Sequence, residues 1–100
     1  MDIRTGSITF AKGRGPSNPR TDTTTVVFPA AVTSAFAVLT GTDFGFSGDD
    51  HHLGQVDVRV VANPIGTSVM VTATLGVRDW SGDFDDDYEG TVYFAVLANP

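Results

Sequence analysis

The sequence predicts an all-β domain, a six-stranded antiparallel β-sandwich, on three observations. Good helix formers are scarce: the chain holds one Lys and one Glu, and no apolar repeat at three-and-four spacing runs longer than Ala30 to Leu39. Thr, Val and Phe recur in segments of five to nine residues, the composition of pleated strands. Clusters of Gly, Pro, Asn and Asp separate those segments at the spacing of a sandwich or barrel. One hundred residues make a single domain over 1–100, because a chain this size buries roughly 64% of its surface and has no surplus for a second core.

The first strand is expected over Asp2 to Phe10. It ends at Lys12-Gly13-Arg14-Gly15-Pro16-Ser17-Asn18-Pro19-Arg20, too rich in Gly and Pro for helix or strand and so a long loop. The β-branched run Thr23 to Phe28 is the second strand and Ser34 to Thr42 the third. Gln55 to Asn63 and Thr67 to Val77 form the fourth and fifth, joined through Asn63-Pro64-Ile65-Gly66, which has turn chemistry. Gly90 to Ala98 is the sixth. Two further loops, Gly45 to Gly54 and Asp79 to Glu89, are long and polar, where a small β scaffold usually carries its binding residues.

Successive side chains of a strand point to opposite faces. On the last three strands one face presents Val56, Val58, Val60 and Ala62, then Val69, Val71, Ala73, Leu75 and Val77, then Val92, Phe94, Val96 and Ala98; this is core. The opposite face presents Asp57, Arg59 and Val61, then Met70, Thr72 and Thr74, then Thr91, Tyr93, Ala95 and Leu97. That face carries too little charge for a surface that meets only water, and apolar patches of this kind mark protein contacts. Copies of the chain are expected to pack there with cyclic symmetry. The alternative is that the first three strands cover both faces within one chain.

Twelve acidic against six basic residues give a net charge of −6, which repels phosphate backbones and anionic lipid, so nucleic acid is not an expected partner. No apolar stretch reaches the ~20 residues of a membrane span, and Met1-Asp2-Ile3-Arg4 lacks the pattern of a secretory signal. The expectation is a soluble chain without membrane insertion, either cytoplasmic or released. With no cysteine, disulfides, thiolate nucleophiles and thiolate zinc sites are excluded together.

Six carboxylates fall within the eleven residues from Asp79 to Glu89, a density that suits calcium. Asp83, Asp85 and Asp87 alternate as at the start of an EF-hand loop, but Tyr88 stands where glycine is needed, Phe94 where glutamate is needed, and no helices flank them. A looser calcium site competes with a solvated acidic loop and with recognition of a basic partner. His51 and His52 follow Asp49 and Asp50; adjacent histidines point apart and rarely chelate one ion, although copies of one could meet on a symmetry axis. Neither has a nucleophile at a recognisable spacing, so the chain is not expected to be an enzyme. Trp80, the one tryptophan, ends the fifth strand, placed either for the core or for stacking on a ligand.

Pro19-Arg20-Thr21-Asp22 on the first long loop, Val58-Arg59-Val60 on the fourth strand and Trp80 past the fifth occur in an order that resembles the H-type lectin domain family. Arg4-Thr5-Gly6-Ser7-Ile8-Thr9-Phe10 and Tyr93-Phe94-Ala95-Val96-Leu97-Ala98 are similar to that family's first and last strands, so the likeness spans nearly the whole chain. The resemblance implies a six-stranded sandwich that forms trimers, often paired into hexamers; the alternative is a structural or adhesive assembly protein on the same scaffold that binds no sugar. The resemblance further implies binding of terminal galactose or N-acetylgalactosamine-type sugars in shallow sites between subunits, with no cofactor. The sugar-binding positions it implies are Asp22 with Arg20 beside it, Arg59, Trp80 and Ser81. A carboxylate accepts from two hydroxyls, a guanidinium donates in a fixed fork, and an indole covers the apolar face of a pyranose. The chain departs from the family at Ser81, where a larger side chain is usual, and in its long acidic loop.

Overall fold

The computed structural model describes residues 1–13, 19–47, 53–79 and 87–100. Its elements are β1 (Asp2–Gly13), β2 (Arg20–Val27), β3 (Ser34–Phe46), β4 (Leu53–Ile65), β5 (Ser68–Asp79) and β6 (Tyr88–Asn99). They form two three-stranded antiparallel sheets, β1-β6-β3 and β2-β5-β4, within a body 47 Å long and about 20 Å across. All six expected strands are present and the architecture is sandwich-like.

The centre strands are β5 and β6, and their sequences show why. Val69, Val71, Ala73, Leu75 and Val77 alternate along β5, and Val92, Phe94, Val96 and Ala98 along β6, all essentially inaccessible to water. Ile8 and Phe10 from β1, Phe28 after β2, and Tyr88 close this core. Val56, Val58, Val60 and Ala62 of the edge strand β4 pack against it from the side. The predicted core face is therefore correct position by position.

The mixed face is not one surface. β6 lies in the other sheet from β4 and β5, so Asp57, Arg59, Val61, Met70, Thr72 and Thr74 face outward from β2-β5-β4, while Thr91, Tyr93, Ala95 and Leu97 face outward from β1-β6-β3. The first three strands do not cover these faces either; they are dealt between the two sheets as edges, leaving Val61 and Tyr93 exposed.

Most strands run longer than expected, because cross-strand pairing overrides local turn chemistry. After a register shift Gly13 pairs with Tyr88, so β1 passes through Lys12. Gly45 and Phe46 pair with Glu89 and Tyr88, so the ends of two expected loops belong to sheet β1-β6-β3. Leu53 pairs with Asp79 in the same way in the other sheet. The β4–β5 turn is also shorter than Asn63 to Gly66: Pro64 pairs with Val69 and Ile65 with Ser68, leaving Gly66 and Thr67 at the tip. Gly66 has φ of 62°, as the first central position of a two-residue II′ hairpin requires. Pro64 is tolerated because β4 is an edge strand. The Phe28 and Val32 amides bond to the Thr67 and Gly66 carbonyls, steering the chain past this turn into the second sheet.

Candidate functional site

Arg59 and Asp57 share one face of β4 because they stand two residues apart. Arg59 Nε donates to Asp57 Oδ1 at 2.8 Å and Nη2 to Oδ2 at 2.6 Å, a two-pronged ion pair. The Arg59 side chain is 68% exposed and that of Asp57 18%. Gly76 is Asp57's partner on β5, so no side chain stands there between the carboxylate and the sheet. The hydrogen bonds from Arg59, with its charge, hold the Asp57 carboxyl below the usual carboxylate range against a smaller opposing effect of burial. A lowered acid contributes stability above its unfolded pKa and loses it as pH falls through the folded one. Asp57→Asn is therefore expected to lower the melting temperature slightly at neutral pH, as exposed pairs do, and to match the parent in strong acid; a pH series of melting curves checks it.

Asp22 lies on β2, the opposite edge of the same sheet, exposed, with Oδ1 accepting from the Thr23 amide at 2.8 Å. Its register partner is Ala73, a core-facing residue, whereas Arg59 pairs with outward-facing Thr74. Asp22 and Arg59 thus flank β5 from opposite edges, on opposite sides of the sheet. Within one chain they do not converge.

Arg20 is placed differently from a surface ligand. Its guanidinium lies 4.5 Å from the Tyr88 ring centroid and 5.5 Å from that of Phe10. Nη1 donates to the Ala11 carbonyl and Nη2 to the Tyr88 carbonyl, both at 2.8 Å. This side chain ties β2 to β1 and β6 across the end of the sandwich. Tyr88 completes the tie by donating its hydroxyl to the Leu75 carbonyl at 2.9 Å.

Trp80, Ser81, Asp83, Asp85, His51 and His52 lie outside the described residues. Asp87 is described, and its carbonyl accepts from the Ser47 amide. Among the described residues no three His, Asp or Glu side chains gather as a metal site would require, and no helix is long and apolar enough to cross a membrane.

Two features of the structure carry no motif in the sequence. One is Asp57, which two-residue spacing alone places beside Arg59. The other is a shallow depression of about 420 Å³ at one end of β1-β6-β3, lined by Thr9, Ala11, Asp43, Gly45, Glu89 and Thr91 among others. Its hydroxyls and carboxylates are partly engaged with one another: Thr9 and Thr91 share a hydrogen bond of 3.1 Å, and Ser47 donates to Glu89 at 3.1 Å. Only the folded register brings these three strands' residues together.

Comparison with protein families, with characterised proteins and with solved structures finds no match to this chain. Fold and geometry define its class: an all-β scaffold of two three-stranded sheets, with exposed polar groups on the edges of one and exposed Ile3, Phe36, Val38 and Tyr93 among the outward residues of the other.

Proposed function

We propose that this chain is a non-catalytic, carbohydrate-binding, lectin-like module that takes terminal galactose or N-acetylgalactosamine-type sugars in shallow sites between its copies. The observation that carries the reading is the separation of Asp22 from Arg59. Two exposed sugar-type ligand groups on opposite edges of one sheet are complementary halves of a site that a neighbouring copy completes. Several weak sites on one assembly then bind by avidity.

Asp57 refines the ligand class. A guanidinium has five N–H groups, and the ion pair occupies Nε and one edge of Nη2. The remaining donors suit sugar hydroxyls, and the neighbouring carboxylate disfavours acidic sugars.

A glycan array on the purified protein, with mass by light scattering in the same buffer, tests the reading. Terminal galactose-type glycans should bind an oligomer. Arg59→Ala and Trp80→Ala should each weaken binding by about tenfold or more, the worth of one good polar or stacking contact. Full binding by both variants removes the assigned site. An oligomer silent on every glycan leaves a structural or adhesive assembly protein, a second reading favoured by the exposed Ile3, Phe36, Val38 and Tyr93 on one sheet.

A further inference from the structure

We infer that the depression at the end of β1-β6-β3 is a second ligand site, complete within one chain, that takes an amino sugar: a pyranose carrying a free amine. This goes beyond the proposed function, because the site lies on the other sheet from Asp57 and Arg59 and needs no neighbouring copy.

The register assembles the site. Thr9, Thr91 and Asp43 form one row across the three strands, and Glu89 beside Gly45 begins the next. These residues point outward, since Tyr88 and Val92 between them on β6 are buried in the core. Asp43 and Glu89 are diagonal neighbours on adjacent strands, about 7–8 Å apart at their Cα atoms, so one small ligand reaches both. Thr9 and Thr91 bond to each other, and Ser47 donates to Glu89 Oε1. Among the described residues neither Glu89 Oε2 nor the Asp43 carboxylate has a partner. Gly45 points to a ligand independently of the carboxylates. Glycine weakens a strand and stands where another backbone or a ligand comes close. At Gly90 the backbone accounts for it, because a Cβ there would collide with the Asp43 carbonyl oxygen. At Gly45 a Cβ would meet nothing within 4 Å, and its φ is not in the left-handed region. Neither packing nor conformation calls for glycine there; the missing side chain keeps the depression open beside Glu89.

The lining selects the ligand class. A volume of about 420 Å³ is in the range of small-molecule sites. Hydroxyls and carboxylates suit the hydroxyls of a sugar. Two carboxylates with no Lys, Arg or His among the described lining residues favour a cation, and an ammonium brings three donors to them. The chain's net charge of −6 draws such a ligand in and repels an acidic one. Tyr93 follows Thr91 on the same side of β6, 45% exposed. Its ring lies beside Gly41, where a Cβ would stand 3.8 Å from Tyr93 Cδ2. An aromatic ring at this border offers a surface for the apolar face of a pyranose and for an ammonium. An amino sugar carries the hydroxyls, the ring face and the cation together.

The test is a titration of nitrogen-15-labelled protein with galactosamine, galactose and galacturonic acid at equal ionic strength, read from backbone amide shifts. Galactosamine should move the amides of Asp43, Gly45, Glu89 and Thr91 with a Kd on the order of millimolar, as an open site gives a ligand this small. Galactose should bind about tenfold more weakly for want of the charge-assisted bonds, and galacturonic acid should leave these amides in place. Asp43→Asn and Glu89→Gln, both at exposed positions, should each weaken galactosamine binding by about tenfold or more. Gly45→Val should abolish it by filling the depression, with an unchanged melting temperature showing that the fold is kept. No shift at these residues up to about 50 mM galactosamine, binding that survives both Gly45→Val and Asp43→Asn, or galactose binding as tightly as galactosamine overturns the inference. Arg59→Ala separates the two sites. Galactosamine shifts that centre on Arg59 and vanish in that variant overturn this site and leave the proposed one, whereas shifts at Gly45 that survive it, with glycan binding insensitive to Arg59, support this site and remove the proposed one.

Discussion

Phe94→Ala should cost about 3–5 kcal/mol of folding stability, a large part of the 5–15 kcal/mol a domain has in total. Phe94 is 1% exposed at the middle of β6, the centre strand of its sheet. Its ring lies over Gly6 on β1: a Cβ built on Gly6 would stand 2.6 Å from Phe94 Cζ. Glycine is thus required at Gly6 by the ring's approach, and its φ is not in the left-handed region. Truncating the ring removes buried area and leaves a void that rigid neighbouring strands cannot close. A double-mutant cycle sharpens the expectation. Gly6→Ala alone should destabilise by crowding the ring, whereas in the Phe94→Ala background it should restore part of the loss by filling the space. Urea denaturation of the four proteins measures the coupling; additive effects would refute the contact.

Arg20→Ala should destabilise by about 2–4 kcal/mol, because it takes the donor from the part-buried Tyr88 carbonyl and empties the space beside two rings. The guanidinium holds Ala11 and Tyr88 by their carbonyls while its face covers the Tyr88 ring. Nε lies buried without a hydrogen-bond partner among the described residues, so the side chain is placed for its fork and its flat stem rather than for full satisfaction. Arg20→Met should recover the packing share of the loss but not the hydrogen bonds. Thermal melts give the stability effect, and glycan binding by the folded fraction gives the second readout. A residue that only clamps the sandwich moves the melting temperature and leaves affinity per folded site unchanged. A normal melting temperature for Arg20→Ala would discard the clamp.

Arg20 also shows where the sequence stops being informative. The Gly and Pro preceding it place it beside Asp22 in a loop, and the family resemblance gives it an exposed ligand role. In the structure it opens β2, and the register with Leu75 turns it toward the inner face. Asp22 follows two residues later on the same side but at an open edge, so it stays exposed. Alternation gave both residues the same face; only the packing of the second sheet decided which was covered. The Asp57–Arg59 pair was within reach of the sequence, since it needs nothing beyond two-residue spacing. The depression beside Asp43 and Glu89 was not, because its walls come from three strands far apart along the chain.

The six strands, their approximate limits and the inward residues of β4, β5 and β6 follow from composition and period-two alternation alone, since both act locally along the chain. Which strands share a sheet does not. Hairpin neighbours β4 and β5 pair, yet β6 leaves β5 to become the centre of the opposite sheet, with β1 and β3 as its edges. Pairing across such distances is decided by burying the apolar sides of β5 and β6 against each other, a global gain no local window contains. That one decision split the mixed face in two and set Arg59 and Tyr93 on different sheets, with Ile3, Phe36, Val38 and Tyr93 left exposed on the outside of β1-β6-β3.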